Sequence, residues 1–307
     1  MKYLSIAGTD LYASNIVMGC MRLKSQTKAQ AQTIVKTALD EGINFFDNAD
    51  IYGDGLCEEI FAEAVGMSPS VREKIIVQTK CGIVRGCGYD FSRDYLVKAA
   101  EASLKRLKTE YVDLLLLHRP DQLMEPQEVA EAFAYLHSSG KVRYFGVSNH
   151  NPMQTELLQR AIPYKLVVNQ LQLSVCHTPM IDSAITLNTH HSQAVNRDGS
   201  VLDYCRLKEI TIQAWSPFQY GVFEGPFLGN LEKYPQLNQV IDEIAAAYGV
   251  PNTAVAIAWI TRHPADMQVV IGTMNPQRMK DACQGSQLRL TRKEWYRIYQ
   301  AAGNIIP

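Results

Sequence analysis

The chain reads as an α/β protein folded as a (β/α)8 barrel of the TIM type, and three observations predict it. Eight short, dense apolar runs recur along the 307 residues. Several are continuous rather than alternating, as parallel strands covered on both faces should be. Stretches with helical period lie between them, and no Pro/Gly/Ser-rich linker interrupts the alternation. A barrel of this kind takes about 250 residues, so 1–307 reads as a single domain, with a doubly wound open sheet as the alternative.

The first piece lies outside the repeat. Residues 2–14 suggest a β-hairpin, Tyr3-Leu4-Ser5 against Leu11-Tyr12-Ala13 around Gly8-Thr9-Asp10, placed to cap one end of the barrel. The strands then follow as Ile16–Met18, Asn44–Phe46, Ile75–Val77, Leu114–Leu117, Arg143–Val147, Leu166–Val168, Thr211–Trp215 and Gln268–Ile271. Leu96, Ala100, Leu104 and Leu107 mark one helical face, with Ser92 as N-cap; Val129, Ala132, Phe133 and Leu136 mark another. Asn151-Pro152 and Asn275-Pro276 each read as a cap followed by proline in the first helical position. The charge-dense stretch Glu101–Glu110 reads as a solvated helix face, and residues 292–302 as an extra carboxy-terminal helix. Val175 to Ser200 is long, polar and rich in Asn, His, Ser and Thr, and a loop of that length is expected to be functional or disordered.

Thirty Lys and Arg against 31 Asp and Glu give a formal charge of −1, which argues against a nucleic-acid partner. The longest apolar run, Ala254–Ile260, falls short of the ~20 residues of a membrane helix, and no export leader is read at the amino terminus. The seven cysteines are odd in number and form no Cys-x-x-Cys, which suits a reducing cytoplasm. No metal site is read; His190-His191 are adjacent, and adjacent residues on a loop rarely chelate together. The oligomeric state is not legible.

Catalytic groups of a barrel sit at the carboxyl ends of its strands. Those ends carry Asp47, Lys80, His118, Ser148-Asn149, Asn169-Gln170, Trp215-Ser216-Pro217 and Gly272-Thr273, with Tyr52 five residues after Asp47. A nearby ammonium favours the phenolate, so Lys80 is expected to lower the pKa of Tyr52, with Asp47 holding Lys80 charged. His118 can donate a hydrogen bond to a carbonyl oxygen, and the set could protonate that oxygen as hydride reaches carbon. Lys80 as the Schiff-base nucleophile of an aldolase is the competing chemistry. Cys81 and Cys87 read as redox-inert, although alkylation of Cys81 could abolish activity.

The run Gly42-Ile43-Asn44-Phe45-Phe46-Asp47-Asn48-Ala49-Asp50-Ile51-Tyr52-Gly53 resembles the signature of the aldo-keto reductases. Leu114–His118 with Arg119-Pro120-Asp121, Gly146-Val147-Ser148-Asn149 and Trp215-Ser216-Pro217 are similar to that family's later motifs, in order, from about residue 2 to 285. Asn48 stands where many members have Thr or Ser. The resemblance implies a tetrad in which Tyr52 is the general acid/base, Lys80 tunes it, Asp47 pairs with Lys80, and His118 orients a small-molecule carbonyl substrate. It also implies NADP(H), bound extended across the barrel mouth. Ser148, Asn149 and Gln170 would hold the carboxamide and Trp215 would stack on the nicotinamide. Ser216, Pro217, Phe218 and Gly221 would line the pyrophosphate path, with Met21 and Asp47 also in contact.

Ile271 to Arg278 resembles the adenosine 2′-phosphate site, through Gly272, Thr273, Met274, Asn275 and Arg278. A helix opened by Asn275-Pro276 would attract an anion to its amino terminus, with Arg278 in its first turn. One clear cation stands there rather than two. The mouth loops carry Tyr89, Phe91, Phe218, Tyr220, Phe223 and Phe227, which suggests a flat apolar pocket. A nicotinamide-binding sensor on the same fold is the alternative to an enzyme.

Overall fold

The computed structural model describes every residue but Phe223, so the loop aromatic expected there lies outside the described residues. The hairpin is β1 (Tyr3–Ser5) against β2 (Tyr12–Ser14), antiparallel. The barrel strands are β3 (Ile16–Gly19), β4 (Phe45–Asp47), β5 (Ile76–Cys81), β8 (Val112–Leu117), β9 (Val142–Ser148), β10 (Leu166–Gln172), β11 (Thr211–Trp215) and β12 (Gln268–Ile271). They close in the order β10-β11-β12-β3-β4-β5-β8-β9, every pair parallel, and each contains or overlaps one of the eight apolar runs. Two residues each from β6 (Ile83–Val84) and β7 (Gly88–Tyr89) make a small hairpin at the mouth, after β5.

The helices are α1 (Lys28–Asp40), α2 (Leu56–Val65), α3 (Pro69–Arg72), α4 (Arg93–Leu107), α5 (Pro126–Ser138) and α6 (Pro152–Gln159). They continue as α7 (Pro179–Ile185), α8 (Val201–Leu207), α9 (Pro235–Tyr248), α10 (Asn252–Thr261), α11 (Pro276–Gln284) and α12 (Arg292–Ala301). Asn151 caps α6 in a reciprocal box with Gln154, and Asn275 caps α11 by accepting from the Arg278 amide. Ser92 occupies the N-cap of α4, but its side chain makes no capping bond there.

Two apolar layers result. The outer one packs strands against helices around residues such as Phe46, Phe61, Leu115, Phe133 and Trp259. The inner one fills the barrel's closed end, where Ile6, Leu11 and Ala13 of the hairpin region meet Val17, Phe45, Ile76, Leu114 and Val168. Arg143 fastens the cap, bridging Asp10 of the hairpin turn and the buried Asp113 at 2.7 and 2.9 Å. Gly146 is required by close approach of β9 and β10, since a Cβ there would stand 2.8 Å from the Val168 carbonyl oxygen.

Residues 175–200 are not structureless, although most of 187–200 is exposed. They contain α7, whose Met180, Ile181, Asp182 and Ser183 are buried. Tyr299 of α12 donates to Asp182 at 2.7 Å, and Gln193 bonds both Asn304 and the Ile305 amide. The added helix and tail thus hold this segment down.

Candidate active site

The four residues expected at the strand ends converge at the barrel mouth. Asp47 ends β4, Lys80 lies in β5, and His118 follows β8 directly. The chain turns left-handed after Tyr52, through Gly53 at φ 60° and Asp54 at φ 58°, before entering α2. Lys80 Nζ sits 2.8 Å from Asp47 Oδ1, donates to the Asn48 carbonyl at 2.7 Å and to Tyr52 Oη at 3.1 Å. Three ammonium hydrogens therefore have three oxygen partners. The His118 ring stands edge-on to Tyr52 with centroids 5.8 Å apart, and its buried Nδ1 has no partner.

Burial acts to lower the pKa of Lys80, but Asp47 and Tyr52 more than offset it, so the net displacement is upward and the amine stays charged. This weighs against the competing Schiff-base chemistry, since a buried, ion-paired ammonium lacks the free lone pair that chemistry needs. Burial pushes the Tyr52 hydroxyl above its ordinary value, and Lys80 pulls it back without prevailing. The expected lowering by Lys80 is thus present in sign but outweighed by removal of water from the phenolate. Tyr52 holds its proton at neutral pH and can give it away. Burial, then the charges of Lys80 and Arg119, hold His118 well below the usual imidazole range, so it is neutral.

The residues implied for the nicotinamide end form a second connected group. Ser148 Oγ donates to the Gln170 carbonyl at 3.1 Å, Asn149 Nδ2 to Ser148 Oγ at 2.7 Å, and Trp215 Nε1 to Asn149 Oδ1 at 3.3 Å. Asn149 and Ser216 hold left-handed backbones at φ 58° and 52°, a strain that gathers at functional loops. Pro217 is buried, Phe218 half-buried, and Gly221 lies beneath Glu224 with its carbonyl accepting from Gln172. Met21 is exposed at 38%, and Gly272, Thr273 and Met274 are half-buried before Asn275 and Arg278, which are exposed at the start of α11.

Sequence reasoning missed two cations. Arg22 Nη1 donates to the Gly272 carbonyl at 3.3 Å, which brings a second guanidinium to the segment expected to bind phosphate. Arg119 stands 5.6 Å over the Trp215 ring. Arg106 is no mere surface charge either: it pairs at 2.7 Å with Glu58, whose side chain is fully buried. The flat aromatic pocket is also reduced, since Phe91 and Phe227 are core residues at 1% and 0% exposure. Cys81 is fully buried and its thiol is pushed well up, first by burial, which corrects the expectation of alkylation.

A closed parallel barrel with Asp, Tyr, Lys and His gathered at the carboxyl ends of its strands is the frame of a barrel oxidoreductase. The chain belongs to the aldo/keto reductase family, whose model matches residues 15–302. It is 36% identical to Oxidoreductase YdhF of Escherichia coli K12 over 312 residues, with 98% of each chain covered. Against a 6-dehydroglucose reductase of Agrobacterium fabrum it is 35% identical over 305 residues, with 95% of each covered. A solved thermostable aldo-keto reductase, in complex with the inhibitor epalrestat, superposes with TM-score 0.79 at 22% identity over 98% of this chain and 100% of that one. The last comparison bears on the fold. Among the described residues no single helix is long and apolar enough to cross a membrane.

Proposed function

We propose that the protein reversibly transfers hydride between NADP(H) and a carbonyl group, reducing an aldehyde or ketone with Tyr52 as general acid. The observation that carries this is the line Asp47–Lys80–Tyr52, at 2.8 and 3.1 Å, ending in a protonated hydroxyl at the mouth. Tyr52 and neutral His118 would both bond the carbonyl oxygen, and Tyr52 would release its proton as charge develops there. Lys80 would stabilise the phenolate left behind. In alcohol oxidation the same tyrosine works as base.

The mouth residues fit a nicotinamide dinucleotide. Gln170 with Ser148 and Asn149 offers amide and hydroxyl groups to a carboxamide, and Trp215 offers a ring face. Gly272 has open space where a Cβ would stand, and beside it lie Arg22, Arg278 and the amino terminus of α11, a setting for phosphate. NADPH, when bound, supplies the hydride.

The names of the 6-dehydroglucose reductases, at 35% and 33% identity, support including a polyhydroxylated aldehyde among the substrates tried. The test is NADPH oxidation with a panel of such sugars, simple aldehydes, ketones and quinones. Turnover above solvent is expected for at least one class. Tight NADPH binding without any turnover would instead mark a sensor.

A further inference from the structure

Four glutamines line the barrel where apolar side chains would fill it without needing partners. Gln170, Gln213 and Gln268 stand side by side in the register of β10, β11 and β12, and Gln78 stands beside Asp47 in β5 and β4. None is more than 3% exposed. Gln78 Nε2 donates to Asp47 Oδ1 at 2.6 Å and to Gln213 Oε1 at 2.8 Å. Gln170 Nε2 donates to the same Gln213 oxygen at 3.0 Å. Gln213 passes the chain to Gln268 at 3.0 Å, and Gln268 ends it on the Ser14 carbonyl, at the barrel's capped end, at 2.8 Å.

The orientation of Gln78 is informative. Both amide hydrogens are spent on Asp47 and Gln213, and its carbonyl oxygen is left buried without a partner. An unmet acceptor is unfavourable, and it persists here because the reversed amide would set a carbonyl against a carboxylate. The Asp47 oxygen that Gln78 holds is the one paired with Lys80. Charged groups at this level are Asp47 from β4 and Lys80 from β5. The buried Cys20, just past β3 with its amide on the Asp47 carbonyl, has its thiol pushed well up by burial and so is neutral. Tyr52 and His118 are the titratable groups above, and the glutamines of β10, β11 and β12 are neutral.

We propose that Gln78 is a positioning residue for the reaction. It fixes Asp47 against Lys80 and, through Gln213, ties that ion pair to Gln170. This rests on the reductase reading for what Lys80 and Gln170 serve. A carboxylate held from below keeps the ammonium, and so the Tyr52 hydroxyl, in line with the carbonyl; the bond through Gln213 makes the cofactor's carboxamide site part of the same frame.

The experiment compares Gln78→Met, Gln78→Glu and Gln213→Met with the wild-type protein. Single-turnover hydride transfer is followed with NADPH pre-bound, and NADPH affinity by tryptophan fluorescence. Gln78→Met should slow transfer on the order of tenfold or more, the scale of one charge-assisted hydrogen bond, with NADPH affinity within about twofold. Gln78→Glu is the telling variant. While protonated, its carboxyl still donates to Asp47; as pH rises it ionises and two carboxylates face each other, so its rate should fall over a range where wild type is flat. A merely structural role would not move that profile. Gln213→Met should weaken NADPH about fivefold, on the scale of one neutral hydrogen bond. Transfer in Gln78→Met within twofold of wild type, or a wild-type profile in Gln78→Glu, overturns the positioning role. Unchanged NADPH affinity in Gln213→Met overturns the tie to Gln170, and this arm needs no turnover. Failure of the wild-type protein to reduce any carbonyl is a separate result and counts against the reductase reading.

Discussion

Lys80→Met removes a buried charge from the middle of a three-way contact while nearly preserving the side chain's length. The ammonium it deletes bonds Asp47, the Asn48 carbonyl and Tyr52 at 2.8, 2.7 and 3.1 Å. Asp47, 2% exposed, is left with Gln78 as its side-chain donor. Breaking a buried ion pair from one side costs about 3–5 kcal/mol, because the remaining charge stays desolvated. Unfolding entropy of about 2.1 cal/mol/K per residue gives ~0.6 kcal/mol/K for 307 residues, so the melting temperature should fall by ~5–8 °C. Adding Asp47→Asn removes the stranded charge, and the double variant should recover most of the loss. Scanning calorimetry at pH 7 without cofactor reads both. A single variant melting within ~1 °C of wild type, or a double variant no better than the single, would refute the claim that the pair is charged and mutually dependent.

Three further outcomes follow from the same geometry. Burial, with Glu58 nearby, pushes Asp50 from 3.8 to about 7. Between those values the folded chain keeps a proton that the unfolded chain releases, so stability from this group falls as pH rises from about 4 to 7. Asp50→Asn should therefore gain ~1–3 kcal/mol over wild type at pH 8, after allowance for screening, and nothing at pH 4; equal differences in urea unfolding at both would contradict it. Iodoacetamide should modify exposed Cys87 and spare Cys81, with activity retained; mass mapping that finds Cys81 alkylated in the folded protein would disprove its burial. Arg278→Ala and Arg22→Ala should each weaken NADPH on the order of 10-fold, and NADH far less. Equal losses for both cofactors in equilibrium binding would remove the 2′-phosphate role.

Much of the barrel was legible because its strands are short apolar runs and its chemistry sits where those runs end. Asp47, Tyr52, Lys80 and His118 could be placed from order alone. What the sequence hid were contacts between distant segments. Arg106 looks solvated in a charge-dense helix, and only the approach of α4 to α2 shows it paired with Glu58. Gln213 and Gln268 lay inside recognised strands, yet nothing local says that two amides 55 residues apart share a hydrogen bond. Ser92 has the right residue type and dihedrals for a cap, but no bond from its side chain. Residues 175–200 look open by composition because the hydrogen bonds that tie α7 down come from α12 and the tail, more than a hundred positions away. The sign of the Tyr52 displacement was missed for a related reason: spacing reveals a neighbouring charge but not how much water the fold removes.

The central claim is that Tyr52 donates the proton that accompanies hydride transfer. Tyr52→Phe keeps the ring beside His118 and deletes the hydroxyl, so single-turnover NADPH oxidation with a reducible carbonyl isolates that step. The rate should fall by a factor on the order of 10² or more while NADPH affinity is largely unchanged. Near-wild-type hydride transfer in Tyr52→Phe would contradict the account.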